Sequence, residues 1–333
     1  MTEQGDPGLD AVEHVYAQMQ IDDEWSVFEP RGFTWWGHHL AQRVWAERPR
    51  DSFGMDVVRV HAETRLVRDV QPGDETWKLL NFLNHDASLS SLVFDAARGT
   101  IVFECSVFVH EQNVEWLKWL FMHAVAIQAA EAGGRAALLA RELEGEIDVS
   151  EHPSSGQRPE PDDMLNVIRD VYYPNSQAPP PLTQREFQAA LDIGPRSDVL
   201  ANAGDGGLTA EFPFLGDVPA IGMALGYRSA DAAPESALLM MSIERYPRLG
   251  YGVLARLVLP NGACDRDQAE ARLNLAETTN WTACHLLGGW CLSNLGLTFV
   301  TFVPTAACWP GVPVFLFQTM GSRVRWVRDE WMA

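Results

Sequence analysis

Two stretches of this chain say nearly the same thing. Leu80-Asn81 lies in the helical run ETWKLLNFLN, and Leu273-Asn274 lies in the helical run DRDQAEARLNLAETTNW. Each is followed by a β-rich apolar stretch broken by one glycine: Gly99 in SLVFDAARGTIVFECSVFV and Gly296 in CHLLGGWCLSNLGLTFVTFV. An amphipathic helical pattern then closes each half. The asparagines are 193 positions apart and the glycines 197, so four extra residues sit between helix and hairpin in the second half. Self-similarity over a whole order of elements is the mark of a duplicated architecture. Each half reads helix, three antiparallel strands, helix, hairpin, helix.

The 333 residues are 47% hydrophobic and 21% charged, which suits about two globular domains. Halves of this size bury a core without a disulfide or metal staple. The spacing predicts a first domain over 1–144, a linker over 145–182 and a second domain over 183–333. In the first, LDAVEHVYAQMQI is helical, while FTWWGHHLAQRVWAE and DVVRVHAETRLVRDV alternate apolar and polar as half-buried strands do. Asp74 is placed to cap the middle helix. In the closing helix Val114, Leu117, Leu120, Phe121, Ala124 and Ile127 fall on one stripe, and Gly133-Gly134 is expected to break or kink it. The linker GEIDVSEHPSSGQRPEPDD is acidic and rich in Pro and Ser, which predicts an exposed segment before the helical patch DMLNVIRDVYY. Thr183 with Glu186 forms a capping-box pattern. In the second domain ALLMMSIERY and LGYGVLARLVLP read as paired strands, Asn261-Gly262 as a turn, Asp265 as an N-cap, and the tail from Pro313 as the closing helix.

The run Trp77-Lys78-Leu79-Leu80-Asn81-Phe82-Leu83-Asn84, the hairpin over 92–109 and the helix over 114–131 together resemble the YbjN-type family, which is similar in fold to type III secretion chaperones. The second copy, Arg272-Leu273-Asn274, the hairpin over 286–303 and the tail from Pro313, follows the pattern more weakly. It has Ala276-Glu277 where a second asparagine would fall. The resemblance implies an α+β fold of two similar domains, each a twisted antiparallel sheet packed with helices. It also implies a role in holding other polypeptides, and two fused copies imply an internal pseudo-dimer that is monomeric in solution.

Composition narrows the partners. A formal net charge of −20 repels phosphate backbones and anionic lipid, which argues against nucleic acid and membrane surfaces and favours a basic segment on a protein partner. The five cysteines form no C-x-x-C, the start MTEQGDPGLD is polar and acidic, and no run of 18 apolar residues occurs. These features predict a cytoplasmic chain with free thiols.

Chemistry is hard to find. The phosphate-loop, dinucleotide, nucleophile-elbow and H-E-x-x-H patterns do not occur, and Gly204-Asp205-Gly206-Gly207 lacks the lysine of a phosphate loop. His38-His39 is the best metal suspect, but neighbours on a strand face opposite ways. His110-Glu111 fits a helix start, and His123 in the closing helix fits a satisfied or surface histidine better than a ligand. Cys284, His285 and Cys291 match no common zinc spacing, and Asp22-Asp23 and Asp162-Asp163 match no calcium loop. Arg323, Arg325 and Arg328 suit the end of a helix better than a nucleic-acid patch. The 12 tryptophans supply either core or interface anchors.

The expectation is therefore a non-enzymatic, chaperone- or adaptor-like protein-binding module with no catalytic, metal or cofactor residues. Trp35, Trp36, Trp116 and Trp119 are the candidate partner anchors. The alternatives are a regulatory domain with a small ligand between its halves and, behind it, an enzyme whose site lies near His38, His39 or His110.

Overall fold

A computed structural model describes residues 5–52, 54–173, 178–193, 200–204, 207–213, 236–246, 248–260, 267–282 and 284–331. The fold is α+β with two antiparallel sheets. The first half contains α1 (Pro7–Gln18), β1 (Ser26–Glu29), β2 (Gly32–Trp36), β3 (Ala41–Ala46), β4 (Arg50–Ser52), β5 (Met55–Arg68), α2 (Asp74–His85), β6 (Ser91–Asp95), β7 (Thr100–Val109), α3 (Val114–Leu143), β8 (Glu146–Ile147) and α4 (Asp163–Tyr172). The second contains α5 (Pro181–Ile193), β9 (Leu200–Gly204), β10 (Gly207–Pro213), β11 (Ser236–Tyr246), β12 (Gly250–Val258), α6 (Ala269–Thr279), β13 (Gly289–Ser293), β14 (Gly296–Pro304) and α7 (Val312–Trp326).

The first sheet runs β1-β2-β3-β5-β7-β6, with β4 and β8 also paired to β5. The second runs β9-β10-β11-β12-β14-β13. Matched in chain order, the two orders are the same. Leaving aside β4, β8 and α4 of the first half, each half is helix, four strands, helix, hairpin, helix, one strand more than the sequence pattern predicts. In the first half the extra strand comes from the Trp25–Val70 region, where FTWWGHHLAQRVWAE is two strands around a bend at Gly37–Leu40 and SVFE is a strand of its own; in the second it is β9. The hairpin glycines do the same job in both halves. Gly99 (φ 61°) and Gly296 (φ 114°) take the left-handed conformations that a side chain disfavours.

The chain divides into two compact units. The first comprises Met1–Leu80, Leu89–Val171 and His285–Leu287; the second comprises Asn81–Ser88, Tyr172–Cys284 and Gly288–Ala333. In the first, Val58, Val60, Ala62 and Leu66 point to one face of β5 and are fully buried, with Val109, Val107 and Cys105 opposite the first three on β7. α1 and α3 pack on this sheet. α3 runs unbroken through Gly133-Gly134. Each glycine costs about 1 kcal/mol relative to alanine. The buried stripe from Val114 to Leu139 outweighs that cost. In the second unit α5 and α7 pack on the sheet bearing Leu239, Met241, Val253, Ala255 and Leu257. α5 starts at Pro181, so Thr183 sits inside its first turn and donates through Oγ1 to Thr305 Oγ1 at 3.2 Å instead of capping.

The expected linker is ordered for much of its length. Ser150 N donates to His39 O (2.9 Å), Asp162 N donates to Gly37 O (2.8 Å), and β8 adds to β5. Arg158 Nη1 donates to Trp36 O (2.9 Å) and to Asp162 Oδ2 (3.0 Å). Leu165 and Ile168 of α4 are buried. The bend between β2 and β3 leaves carbonyls with no ladder partner, and this polar segment supplies the donors. The Asn261-Gly262 turn, the Asp265 cap, and Asp205 and Gly206 of the glycine-rich loop lie outside the described residues. No helix among the described residues is long and apolar enough to cross a membrane.

Candidate functional site

Two places have features that packing alone does not require. One is a cavity of about 230 Å³ inside the first unit. One wall is α3, where Ala129, Ala130, Ala132, Gly133 and Ala136 take the helix past the space with almost no side-chain bulk. Trp35, Gln42 and Thr64 come from the sheet, His38 and His39 from the β2–β3 bend, and Leu165 and Arg169 from α4. Beside it runs a buried amide network. Gln42 Nε2 donates to Gln128 Oε1 (2.8 Å) and to Val125 O (3.0 Å). Thr64 Oγ1 donates to Gln128 Oε1 (3.1 Å), and Gln128 Nε2 donates to Phe103 O (3.0 Å) and Ala62 O (3.2 Å). Gln128 is satisfied. Gln42 Oε1 and Trp35 Nε1 are buried with no hydrogen-bond partner, a state that costs about 1–3 kcal/mol per group when nothing relieves it.

The histidines depart from the strand expectation. His38 and His39 lie on the bend, so their rings meet at 3.5 Å between centroids, tilted by 35°, and do not face opposite ways. Gln157 Nε2 sits 3.1 Å from His39 Nδ1, placed to donate to it. Burial, then the charges of His39 and Arg158, hold the His38 pKa below its ordinary value. Among the described residues, no group of three His, Cys, Asp or Glu side chains is arranged to hold a metal ion.

The second place is the outer edge of β13, in the second unit. β13 ends its sheet, so Trp290 and Leu292 turn backbone groups away from β14. Both asparagines of the repeated pair serve this edge. Asn274 Nδ2 donates to Trp290 O (2.9 Å) and its Oδ1 accepts from Trp290 N (2.8 Å). Asn81 brackets Leu292 in the same way, donating to Leu292 O (3.1 Å) and accepting from Leu292 N. A side-chain amide carries one face of donors and one acceptor, which imitates the neighbouring strand that an edge lacks. The elements that meet there also carry exposed apolar side chains: Phe82 (65%) next to Asn81 on α2, Leu275 (36%) next to Asn274 on α6, Leu292 (57%) on β13 and Leu295 (50%) in the turn after it.

The predicted anchors are spread differently. Trp35 is 1% exposed on the cavity wall, and Trp36 is 6% exposed with Nε1 donating to Ser150 Oγ at 3.1 Å. Neither offers a surface to a partner. Trp116 and Trp119 are half-buried on α3, Trp119 edge-on to His14 at 4.3 Å. Sequence reading missed Phe82, Leu275, Leu292 and Leu295. For Phe82 and Leu275 the signal available was their position directly after the two matched asparagines; Leu292 and Leu295 carried none.

The remaining chemistry is structural. Cys105, Cys284, Cys291 and Cys308 are buried thiols, and burial pushes Cys291 and Cys308 up to about 12. Burial also drops His123 to about 4, aided by His14. His110 Nδ1 accepts from Gln112 N at the turn into α3. His61 lies between Glu104 (2.9 Å) and Glu47 (3.0 Å), stacked on Trp45 at 4.7 Å. Its hydrogen bond holds the Glu47 carboxyl below the usual carboxylate range. Arg323 meets Glu277 through two bonds (2.8 and 2.9 Å) with both side chains buried, so it ties α7 to α6 and is not an exposed basic patch.

Comparisons with family models, with curated proteins and with solved structures returned no match.

Proposed function

We propose that this chain is a non-enzymatic binding protein that holds a segment of another polypeptide against the β13 edge of the second unit. The observation that carries the reading is that Phe82, Leu275, Leu292 and Leu295 are each exposed on α2, α6 and the β13–β14 hairpin, the elements that bear this edge, whose outer backbone Asn81 and Asn274 have already satisfied. Contiguous exposed apolar side chains mark interaction surfaces. The two amides close the edge to indiscriminate strand addition, so the contact is made by side chains. The protein's charge of −20 favours a partner segment with apolar anchors flanked by basic residues. The same order of elements in both units supports the tandem secretion-chaperone-like reading, in which the two copies act as an internal pseudo-dimer and the chain is a monomer in the cytoplasm.

The test compares the wild-type chain with Phe82→Ser/Leu292→Glu as immobilised bait in its own cell extract, with light scattering for mass. Both positions are exposed, so the variant keeps its fold. The reading expects a partner that the wild type retains as a monomer and the variant loses by at least tenfold. Equal recovery on both baits would move the contact elsewhere.

A further inference from the structure

We propose that the cavity of the first unit is a binding site for a small carboxylic acid with a compact apolar body. An engineered cavity of about 150 Å³ takes benzene. The 230 Å³ here suits a molecule of roughly ten non-hydrogen atoms by the same comparison. Its body would lie along the alanine face of α3, opposite Trp35 and Leu165.

The charge of the ligand follows from the lining. The protein carries 45 acidic side chains, yet among the described residues no aspartate or glutamate lines this space. The ionisable groups that do are His38, His39 and Arg169; Arg158, close enough to act on His38, is already paired with Asp162 at 3.0 Å, so Arg169 carries the positive charge of the lining. Among the described lining residues a cation would meet a guanidinium and two imidazoles and no carboxylate, whereas an anion would find Arg169 as a counter-charge. The two unpartnered polar atoms of the wall, Trp35 Nε1 and Gln42 Oε1, add a donor and an acceptor to residues that line it. Apolar space with a few such groups is the usual character of a small-molecule site.

Gly133 provides the control. It is exposed on α3 at the rim, and a Cβ built there meets nothing within 4 Å. A longer side chain at this position extends into open space without a clash, and leaving glycine improves the helix. Gly134 is also open but does not line the cavity.

The experiment is calorimetric titration of the full chain with three probes of one shape: 3-phenylpropionate, 3-phenylpropanol and 3-phenylpropylamine. Each is repeated on Gly133→Leu, Gly134→Leu and Arg169→Gln. The expected result is at least tenfold tighter binding of the acid than of the alcohol or amine. Gly133→Leu should abolish it, Gly134→Leu should leave it unchanged, and Arg169→Gln should narrow the preference for the acid. If the alcohol or amine binds as tightly as the acid, the ligand class is overturned. If no probe binds, or if Gly133→Leu binds as the wild type does, the site is overturned. Either failure leaves the β13-edge reading standing, because that surface belongs to other residues.

Discussion

Removing the Glu277 carboxylate should nearly unfold the second unit. Glu277 and Arg323 are 0% and 1% exposed at the side chain. Glu277 accepts three bonds: from Arg323 Nε (2.8 Å), Arg323 Nη2 (2.9 Å) and Trp290 Nε1 (2.7 Å). The guanidinium also lies 3.5 Å from the centre of the Phe299 ring, so α6, α7, β13 and β14 all meet at this pair. In Glu277→Gln the guanidinium stays buried with its counter-charge gone. Breaking a buried pair from one side costs about 3–5 kcal/mol, against a total of roughly 5–15 kcal/mol for a domain. With a urea dependence of about 2 kcal/mol per molar, the unfolding midpoint should fall by roughly 1.5–2.5 M. The double variant Glu277→Leu/Arg323→Met leaves no buried charge. Its main defect is the Trp290 N–H, worth about 1–3 kcal/mol, so it should be more stable than either single variant. Urea unfolding read by circular dichroism and tryptophan fluorescence measures all four proteins. A shift below about 0.5 M for Glu277→Gln, or a double variant as weak as the sum of the singles, would refute the reasoning.

The two asparagines should differ in their effect on stability. Asn274 is 1% exposed, so Asn274→Ala strands a buried N–H and C=O of Trp290 and should cost about 2–4 kcal/mol in urea unfolding; Asn81→Ala, at a half-exposed site, should cost under about 1 kcal/mol. Glu63 faces Glu104 across β5 and β7, and burial, then the Glu104 charge, raises its pKa. A carboxyl raised in the folded state destabilises it above that pKa and has no effect below the unfolded value near 4.5. Glu63→Gln should therefore raise the melting temperature at pH 7, with the gain shrinking as pH falls and gone below about pH 4; a gain that grows on acidification would contradict this. In a Cys264→Ser chain the other four thiols are buried, so Ellman's reagent at pH 8 should label none of them quickly until denaturant is added.

Much of this architecture was legible in the sequence, because period and turn chemistry are local. The hairpin glycines, the middle and closing helices and the doubled order all follow from 2.0- and 3.6-residue patterns and from two positions that need a left-handed backbone. The Leu-Asn repeat was legible as a repeat but not as a mechanism. Both amides reach the same strand, β13, and that depends on a meeting 211 residues apart in the chain for Asn81 and Leu292. The β2–β3 bend was missed because Trp35-Trp36 and Leu40 continue the apolar alternation across it, and with it went the geometry of His38 and His39. The exposure of 145–163 was legible from its Pro, Ser and acidic composition, but its hydrogen bonds to the β2–β3 bend were not, because composition says nothing of which carbonyls await a donor. The cavity leaves no trace in the chain beyond a run of small residues in α3, which also fits close helix packing.

The central claim is that a polypeptide docks on the β13 edge. Its most direct test places a photoreactive benzoylphenylalanine at position 292 and, as a control, at Val149, which is 48% exposed in the first unit. Irradiation in the native extract should join a distinct polypeptide to position 292 and not to 149. Equal labelling from both positions, or no labelled polypeptide at 292, would contradict the account.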